Sequence, residues 1–302
     1  MCRVLSFLGS PILLADLLIN SSCSLIKQTH NAHYLHNMLN LGGFGLCAWS
    51  EDFESQHGRL LYKTIELPFY DKNLESLSNN LKSHCFLAHI RGVVLSTEGT
   101  ITNENVHPFL YRDYQLAFAH NGTLTGLNKM KASLYPYIRP EVYLRMSGTT
   151  DSEWLYAIMM SQFDDPTKPI SLEMATHAIT DTLGIIMKVR KECRVDTAAP
   201  LNLFMTNGDY IVAVRYVANY GNFPSDMELA HMTYHSMWYT YGDQYRQHEG
   251  VYKMVGTEKR SNLILASEPL SDDVSNWLEV PEYSITTAWR DGSEVRFMTN
   301  GI

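Results

Sequence analysis

The sequence begins Met1-Cys2-Arg3-Val4-Leu5-Ser6-Phe7, and the cysteine directly after the initiator methionine decides the predicted fold. Cys2 is small enough for Met1 to be trimmed, which leaves a thiol and a free α-amine on one residue. Such an amine can accept the thiol proton, directly or through a water, so one residue supplies both nucleophile and base. The run Val4–Phe7 predicts a buried strand that would hold Cys2 at a rigid edge. A second-position cysteine also occurs by chance, so residues downstream must decide.

Composition limits the partners of the chain. Its 302 residues can bury a large core, and its formal net charge of -8 disfavours nucleic acid and anionic membranes as partners. No apolar run reaches the roughly 18–20 residues that a membrane span needs. The cysteine number is odd and no CxxC spacing occurs, which favours a reducing, cytoplasmic compartment over a disulfide framework. These cysteines are Cys2, Cys23, Cys47, Cys85 and Cys193.

The segment after the first strand predicts an amphipathic helix over 11–19 rather than the apolar core of a signal peptide. Ser10 is a favourable N-cap, and Pro11 suits the first helical position. Leucines then fall on one face of this helix, with Asp16 on another.

Neither a metal nor a cofactor is expected. Histidines are spaced by three within 30–36 and by four within 231–235, but no cysteine or carboxylate joins the first group, and HExxH is absent. The glycine-rich stretch 42–45 is followed by neither a helix pattern nor a lysine, which argues against a phosphate-binding loop.

Two predicted strands end in residues suited to a substrate site. The apolar run Cys85–Ile90 ends at Arg91, where a guanidinium suits a carboxylate, although a surface ion pair explains the spacing equally well. The strand Leu116–Ala119 ends in His120-Asn121-Gly122. Asn-Gly after a strand favours a tight turn. Alternatively, the Asn121 amide and the Gly122 N–H point at one spot and form an oxyanion hole.

Asp151 lies at the start of a predicted helix, where Thr150 and Glu153 match a capping box. Asp151 is therefore either a first-turn acid that favours the helix dipole or a partner for a substrate ammonium.

The order of the remaining elements predicts an α+β fold. Helices are expected over 73–83 and 171–191, and strands over Leu201–Met205, Tyr210–Tyr216, Leu263–Ala266 and Ser284–Ala288. No internal repeat or linker divides the chain, so we expect a single domain over 1–302 with helices outside stacked sheets.

Several short motifs occur together along the chain. They are Met1-Cys2-Arg3, Ala88-His89-Ile90-Arg91, His107-Pro108-Phe109, His120-Asn121-Gly122, Thr150-Asp151-Ser152-Glu153, Arg215-Tyr216 and Ala266-Ser267-Glu268-Pro269-Leu270. In combination they resemble the class II glutamine amidotransferases, which are N-terminal-nucleophile (Ntn) hydrolases. The resemblance extends to about residue 290. It is closer to the stand-alone γ-glutamyl hydrolases, which include the ergothioneine-pathway enzyme and the amidotransferase-like subunit of the DUG glutathione-degradation complex.

The resemblance implies a four-layer αββα sandwich and a catalytic set. Cys2 would attack a γ-amide carbonyl with its own amine as base, and Asn121 and Gly122 would hold the oxyanion. A γ-glutamyl thioester would form and then be hydrolysed.

The resemblance also implies a set of substrate-binding residues. Arg91 would bind the α-carboxylate of a small γ-glutamyl substrate and Asp151 its α-ammonium, and His107 and Thr150 belong to the same set. A zwitterionic glutamyl group needs one cation and one anion at a set separation, which this pair would supply.

The chain departs from the family pattern at two places. It has Gly42-Gly43-Phe44-Gly45 where the family usually has Asp-Gly-Trp-Gly or Asp-Gly-Phe-Gly, and Gly92-Val93-Val94 where small polar residues usually follow the arginine. Both places are expected near the glutamyl pocket, so the acyl or leaving group can differ from the usual one. Without a synthetase or sugar-isomerase domain, hydrolysis or acyl transfer is favoured over nitrogen donation.

A different class of function is a subunit that acts only beside a partner peptidase, as the DUG resemblance suggests. The aromatic segment 219–255 is then the candidate contact surface. The expected protein partner is either such a peptidase or a second copy of the chain in a homo-oligomer. A catalytically inactive relative is disfavoured because the five core residues of the resemblance are all present, namely Cys2, Arg91, Asn121, Gly122 and Asp151.

Overall fold

A computed structural model describes residues 2–32, 39–54, 58–93, 101–222 and 236–302. Val94, part of the histidine stretch 30–36, the histidines of 231–235, and Phe223 and Tyr234 of the aromatic segment lie outside the described residues.

Two antiparallel sheets form the middle of the fold. The order in the first sheet is β13 (Leu278–Glu279), β9 (Trp238–Gly242), β12 (Asn262–Ala266), β1 (Arg3–Leu13), β4 (Lys82–Ile90), β2 (Phe44–Trp49) and β3 (Arg59–Thr64). The order in the second is β15 (Glu294–Gly301), β14 (Ser284–Asp291), β7 (Tyr210–Arg215), β6 (Ala199–Thr206) and β5 (Ala117–Gly122), with β8 (Val217–Ala218) also paired to β6. A separate hairpin consists of β10 (Gln244–His248) and β11 (Val251–Val255).

Helices lie outside these sheets. The α-helices are α1 (Lys72–Asn80), α2 (Leu127–Leu134), α3 (Pro140–Tyr143), α4 (Asp151–Met160) and α5 (Leu172–Glu192). Short helical turns span Asp16–Asn20, Lys27–Thr29, Asn103–Asn105 and Tyr135–Tyr137. No helix of the described residues is long and apolar enough to cross a bilayer.

Three apolar clusters separate four layers. One cluster packs α4 and α5 on the outer face of the second sheet, with Tyr156, Ile179 and Leu203 among its members. A second joins the two sheets through residues such as Val4 and Phe204. The third lies on the outer face of the first sheet, beneath α1, the turn Asp16–Asn20 and the β10–β11 hairpin. This αββα arrangement confirms the predicted fold.

The helix expected over 11–19 is wrong in its first part. Strand β1 continues to Leu13, because Ile12 and Leu13 pair with Ser83 and Lys82 of β4 after a shift in register. Pro11 lies at this irregularity, where the missing N–H of proline removes no ladder hydrogen bond. Helical backbone begins only at Leu14.

Two local predictions fare differently. His120-Asn121-Gly122 is not a tight turn, because these residues pair with Leu203, Asn202 and Leu201 as the end of β5. The capping box is half formed: Thr150 Oγ1 accepts from the Glu153 N–H at 3.2 Å. The Glu153 carboxylate accepts from the N–H groups of Ser147 and Gly148, at 3.0 and 2.7 Å, where a full capping box would have it accept from the Thr150 N–H.

Candidate active site

One cavity of about 620 Å³ has Cys2 in its wall. Its wall includes six of the seven residues predicted for the site, namely Cys2, Arg91, His107, Gly122, Thr150 and Asp151. The seventh, Asn121, precedes Gly122 in β5 and is fully buried, so it does not line the open cavity. Residues from both sheets and from the start of α4 therefore converge on one site.

The alternation of side chains along strands explains this convergence. Val4 of β1 and Ala119 of β5 both belong to the cluster between the sheets. Because every second residue of a strand shares a face, Cys2 and Asn121 project toward the same inter-sheet space. The site is the end of that space.

Hydrogen bonds hold Cys2 at both its thiol and its carbonyl. The Gly92 N–H donates to Cys2 Sγ at 3.5 Å, and Arg3 Nη1 donates to the Cys2 carbonyl at 3.0 Å. Arg3 Nε lies 3.5 Å from Glu268 Oε1, and both side chains are buried. A buried ion pair therefore holds the main chain of Cys2 in place.

Arg91 directly follows β4, and its side chain is only 7% exposed. Desolvation lowers the pKa of its guanidinium, while the charges of Cys2 and Asp151 act in the opposite sense. Its main chain is held against the glycine turn, since Arg91 N–H donates to Gly43 O and Gly42 N–H donates to Arg91 O, each at 2.8 Å. The main chain that carries this cation is thus held in place, and its guanidinium lies near enough to Cys2 and Asp151 for both charges to act on it.

Asp151 is the first residue of α4, and main-chain donors orient its carboxylate. Leu124 N–H donates to Oδ2 at 2.6 Å, and Ser152 N–H donates to Oδ1 at 2.9 Å. Asp151 is therefore a first-turn acid that also lines the cavity, and its role as a partner for a substrate ammonium stays a prediction.

The candidate oxyanion hole contains one required glycine and one buried amide. A Cβ on Gly122 would lie 2.0 Å from the Pro200 carbonyl, so only glycine fits where β5 meets β6. Asn121 Nδ2 donates to Ser267 Oγ at 2.9 Å, and its Oδ1 has no partner in the part of the chain that the structure describes.

Three buried histidines lie beside this site. The rings of His89 and His107 have centroids 4.0 Å apart, and burial holds both pKa values well below the usual range. His120 Nδ1 lies 3.0 Å from Ser152 Oγ, and burial lowers its pKa too. The histidines are therefore neutral near pH 7. Among the described residues no group of three His, Cys, Asp or Glu side chains is placed to hold a metal.

The structure connects the two family departures. A Cβ on Gly42 would lie 2.4 Å from Val93 Cγ2 and 3.0 Å from Arg91 Cγ. Val93 therefore fills the space that a side chain at position 42 would need. Gly42 does not line the cavity, so this change acts on the packing around Arg91.

The sequence does not predict the contacts that Gly92 and Ser267 make at this site. In the sequence, Gly92 stands out only as a departure from the family pattern, and Ser267 only as part of the motif at 266–270. Their contacts with Cys2 and Asn121 join residues 90 and 146 positions apart. No local sequence signal identifies such contacts, although the motif at 266–270 contains Ser267 and so indicates the right segment.

Comparisons with known proteins identify the family of the chain. A family model described as glutamine amidotransferases class-II matches residues 72–301. The chain is 30% identical over 305 residues to the probable glutamine amidotransferase DUG3 of Saccharomyces cerevisiae, covering 95% of this chain and 81% of the yeast protein. It is also 28% identical over 137 residues to an uncharacterized protein of Methanocaldococcus jannaschii, covering 45% of this chain and 32% of that one.

Solved structures share the fold. A glutamine aminotransferase class-II domain protein from Silicibacter pomeroyi superimposes with a TM-score of 0.60 at 19% identity, over 100% of both chains. Glutamine phosphoribosylpyrophosphate amidotransferase from B. subtilis gives a TM-score of 0.59 at 15% identity, over 99% of this chain and 49% of that one. The family model covers most of the chain and the yeast relative nearly all of it. The chain therefore belongs to the class II glutamine amidotransferases.

Proposed function

We propose that this chain is a cysteine-dependent amidohydrolase that cleaves the γ-glutamyl amide bond of a small molecule or peptide through a γ-glutamyl thioester. The observation on which the proposal rests is that Cys2, the cation Arg91 and the anion Asp151 line one cavity. The two opposite charges match the α-carboxylate and α-ammonium of a glutamyl group, and the nucleophile lies in the same wall.

In the first half-reaction, removal of Met1 frees the α-amine of Cys2, which takes the thiol proton. The thiolate forms a C–S bond with the γ-amide carbon, and the carbonyl π electrons move onto oxygen. When the C–N bond breaks, the ammonium returns its proton to the leaving amine and a thioester remains.

In the second half-reaction, the same amine takes a proton from a water that attacks the thioester carbon. The C–S bond then breaks, the thiolate is reprotonated and glutamate leaves. The buried ion pair of Arg3 with Glu268 holds the carbonyl of Cys2 during both halves.

The oxyanion of each half-reaction would be bound by the Gly122 N–H and the Asn121 amide. Gly122 lies in the cavity wall, and Asn121 lies next to it in β5. Donors already oriented by a sheet need little reorganisation as charge develops, and this is the basis of oxyanion stabilisation.

The remaining predicted residues would shape the glutamyl pocket. His107 and Thr150 line the cavity, and His107 is neutral because it is buried. Thr150 caps α4 and so holds Asp151 at its first turn. The cavity continues along 122–131, which leaves room for the amine that is released.

The alternative is an amidotransferase-like subunit of a peptidase complex that degrades glutathione-type peptides. The yeast relative supports a γ-glutamyl substrate under either proposal. Of the segment offered as a contact surface, Tyr239 and Tyr241 pack against Phe297, Tyr245 is buried, and Tyr220 is half exposed. Nucleic acid and membrane are not proposed as partners.

The test is turnover and trapping by the isolated chain. Mass spectrometry should show loss of Met1 and a glutamyl adduct on Cys2 after mixing with γ-glutamyl compounds. Cys2→Ala should lose both adduct and turnover, while Cys193→Ala, which alters another part-exposed free cysteine, should keep both. Full turnover in Cys2→Ala would refute the proposal. An adduct without turnover, with activity recovered beside a partner peptidase, would favour the alternative.

A further inference from the structure

Ser267 follows β12 immediately and lies opposite Val4, one pair beyond the Leu5–Ala266 pair of the β1–β12 ladder. Here the ladder is altered. The Ser267 N–H donates to Val4 O at 2.9 Å, but the Val4 N–H donates to the Ser267 side-chain Oγ, also at 2.9 Å. The Ser267 carbonyl accepts instead from Ser236 Oγ at 2.8 Å. The hydroxyl therefore takes the place of a main-chain carbonyl.

This exchange fixes the position of the hydroxyl. The Val4 N–H and the neighbouring Arg3–Glu268 ion pair lock the segment on both sides, and Ser267 is only 2% exposed. Leu263 and Leu265 of β12 belong to the inter-sheet cluster, so the alternation places Ser267 on that same face. Cys2 and Asn121 project from their strands into the same space.

Across that space the hydroxyl meets Asn121, whose Nδ2 donates to Ser267 Oγ at 2.9 Å. Among the described residues this is the single hydrogen bond of the Asn121 side chain, and its Oδ1 is buried without a partner. An amide has two N–H groups, so one is held by Ser267 and the other can point elsewhere. The Val4 N–H and the Asn121 N–H both donate to Ser267 Oγ and so occupy both lone pairs of this hydroxyl.

The geometry points to Ser267 as a positioning residue that holds the Asn121 amide toward the strand bearing Cys2, with its second N–H available to an oxyanion. This inference rests on the proposed function. It goes further by tying the oxyanion donor of one sheet to the nucleophile strand of the other through one side chain.

The test combines kinetics with a matched control. Ser267→Ala should lower kcat by about 10- to 100-fold, at most the about 10²–10³-fold loss expected for an absent oxyanion donor, with KM almost unchanged. Ser6→Ala removes another fully buried serine hydroxyl of the same sheet, bonded at 3.3 Å to the Phe86 carbonyl, and should behave like the wild type. Ser267→Thr keeps the hydroxyl and should lose less than Ser267→Ala.

A double variant separates positioning from general damage. If Ser267 acts only through Asn121, Asn121→Ala with Ser267→Ala should be no slower than Asn121→Ala alone. Independent losses that multiply in the double variant would overturn the inference, as would a kcat for Ser267→Ala equal to that of Ser6→Ala.

A readout without turnover keeps the two proposals apart. The side-chain ¹H–¹⁵N signals of Asn121, assigned by their absence in Asn121→Ala, should shift and exchange faster with water in Ser267→Ala but not in Ser6→Ala. Unchanged signals would overturn the inference. If the wild-type chain hydrolyses no γ-glutamyl compound, the proposed function fails, and these signals alone decide the role of Ser267.

Discussion

Replacing Asp151 with asparagine should abolish discrimination for the substrate ammonium while sparing discrimination for the carboxylate. Asp151 lies in the cavity wall and is part-exposed, whereas Arg91 is only 7% exposed. Leaving one member of a buried charge pair unpaired costs about 2–5 kcal/mol. The more solvated Asp151 belongs at the lower limit and Arg91 at the upper.

These values convert into rate ratios at about 1.4 kcal/mol per tenfold. A substrate without the α-ammonium should lose about 30-fold in kcat/KM, and one without the α-carboxylate about 4,000-fold. Asn at position 151 can accept from only one of the Leu124 and Ser152 N–H groups, so the absolute rate will also fall. The informative quantity is therefore the ratio between substrates.

The assay is release of p-nitroaniline from three anilides: γ-glutamyl, glutaryl (no ammonium) and 4-aminobutyryl (no carboxylate). Wild type should prefer the first over both others. Asp151→Asn should treat γ-glutamyl and glutaryl alike but still reject 4-aminobutyryl. If the wild type accepts all three equally, the γ-glutamyl assignment is wrong. If Asp151→Asn slows all three substrates by the same factor, Asp151 acts only by holding the main chain at Leu124.

Four further predictions follow from the same contacts. Cys2→Ser should keep the fold, measured by circular dichroism, yet lose turnover, because a hydroxyl is far less acidic than a thiol. Normal turnover in this variant would contradict the assignment of the Cys2 thiol as the nucleophile. Asn121→Ala should cost about 10²–10³-fold in kcat with KM hardly moved, and a raised KM with normal kcat would remove Asn121 from the oxyanion hole. Gly42→Asp should lower the free energy of unfolding, measured by urea titration, by about 1–3 kcal/mol because the new side chain clashes with Val93. Adding Val93→Ala should restore part of this loss. If Gly42→Asp alone is as stable as the wild type, the surrounding residues can relax to admit the side chain. The pKa of His107 is depressed in the folded state, so the unfolded chain binds more protons below its ordinary value of 6.5, and stability should fall as pH drops below 6.5. In His107→Gln, the free energy of unfolding should fall less steeply with decreasing pH than in the wild type, by up to about 1.4 kcal/mol per pH unit. Equal slopes for the two proteins would show that a depressed pKa of His107 is not the cause.

The sequence alone was sufficient wherever the physical cause was local. The helix predicted over 171–191 is observed at Leu172–Glu192, and apolar runs placed β4, β6, β7, β12 and β14 close to their observed bounds. A cysteine that follows a removable methionine carries both the nucleophile and the base on one residue. Cys2 could therefore be proposed as the nucleophile without knowledge of the fold. The order of motifs was likewise sufficient to identify the family.

Tertiary structure decided whatever depends on a distant partner. Ser10 and Pro11 carry good helix signals, but pairing with β4 keeps that stretch extended, because a ladder satisfies more main-chain groups than a short helix end. Asn-Gly is a turn signal that sheet pairing with Asn202 and Leu201 overrides. The cavity that unites Arg91 with Asp151 and the hydrogen bond between Asn121 and Ser267 both join residues far apart in sequence. Such contacts arise only when two sheets stack, which is why local patterns could name the residues but not their geometry.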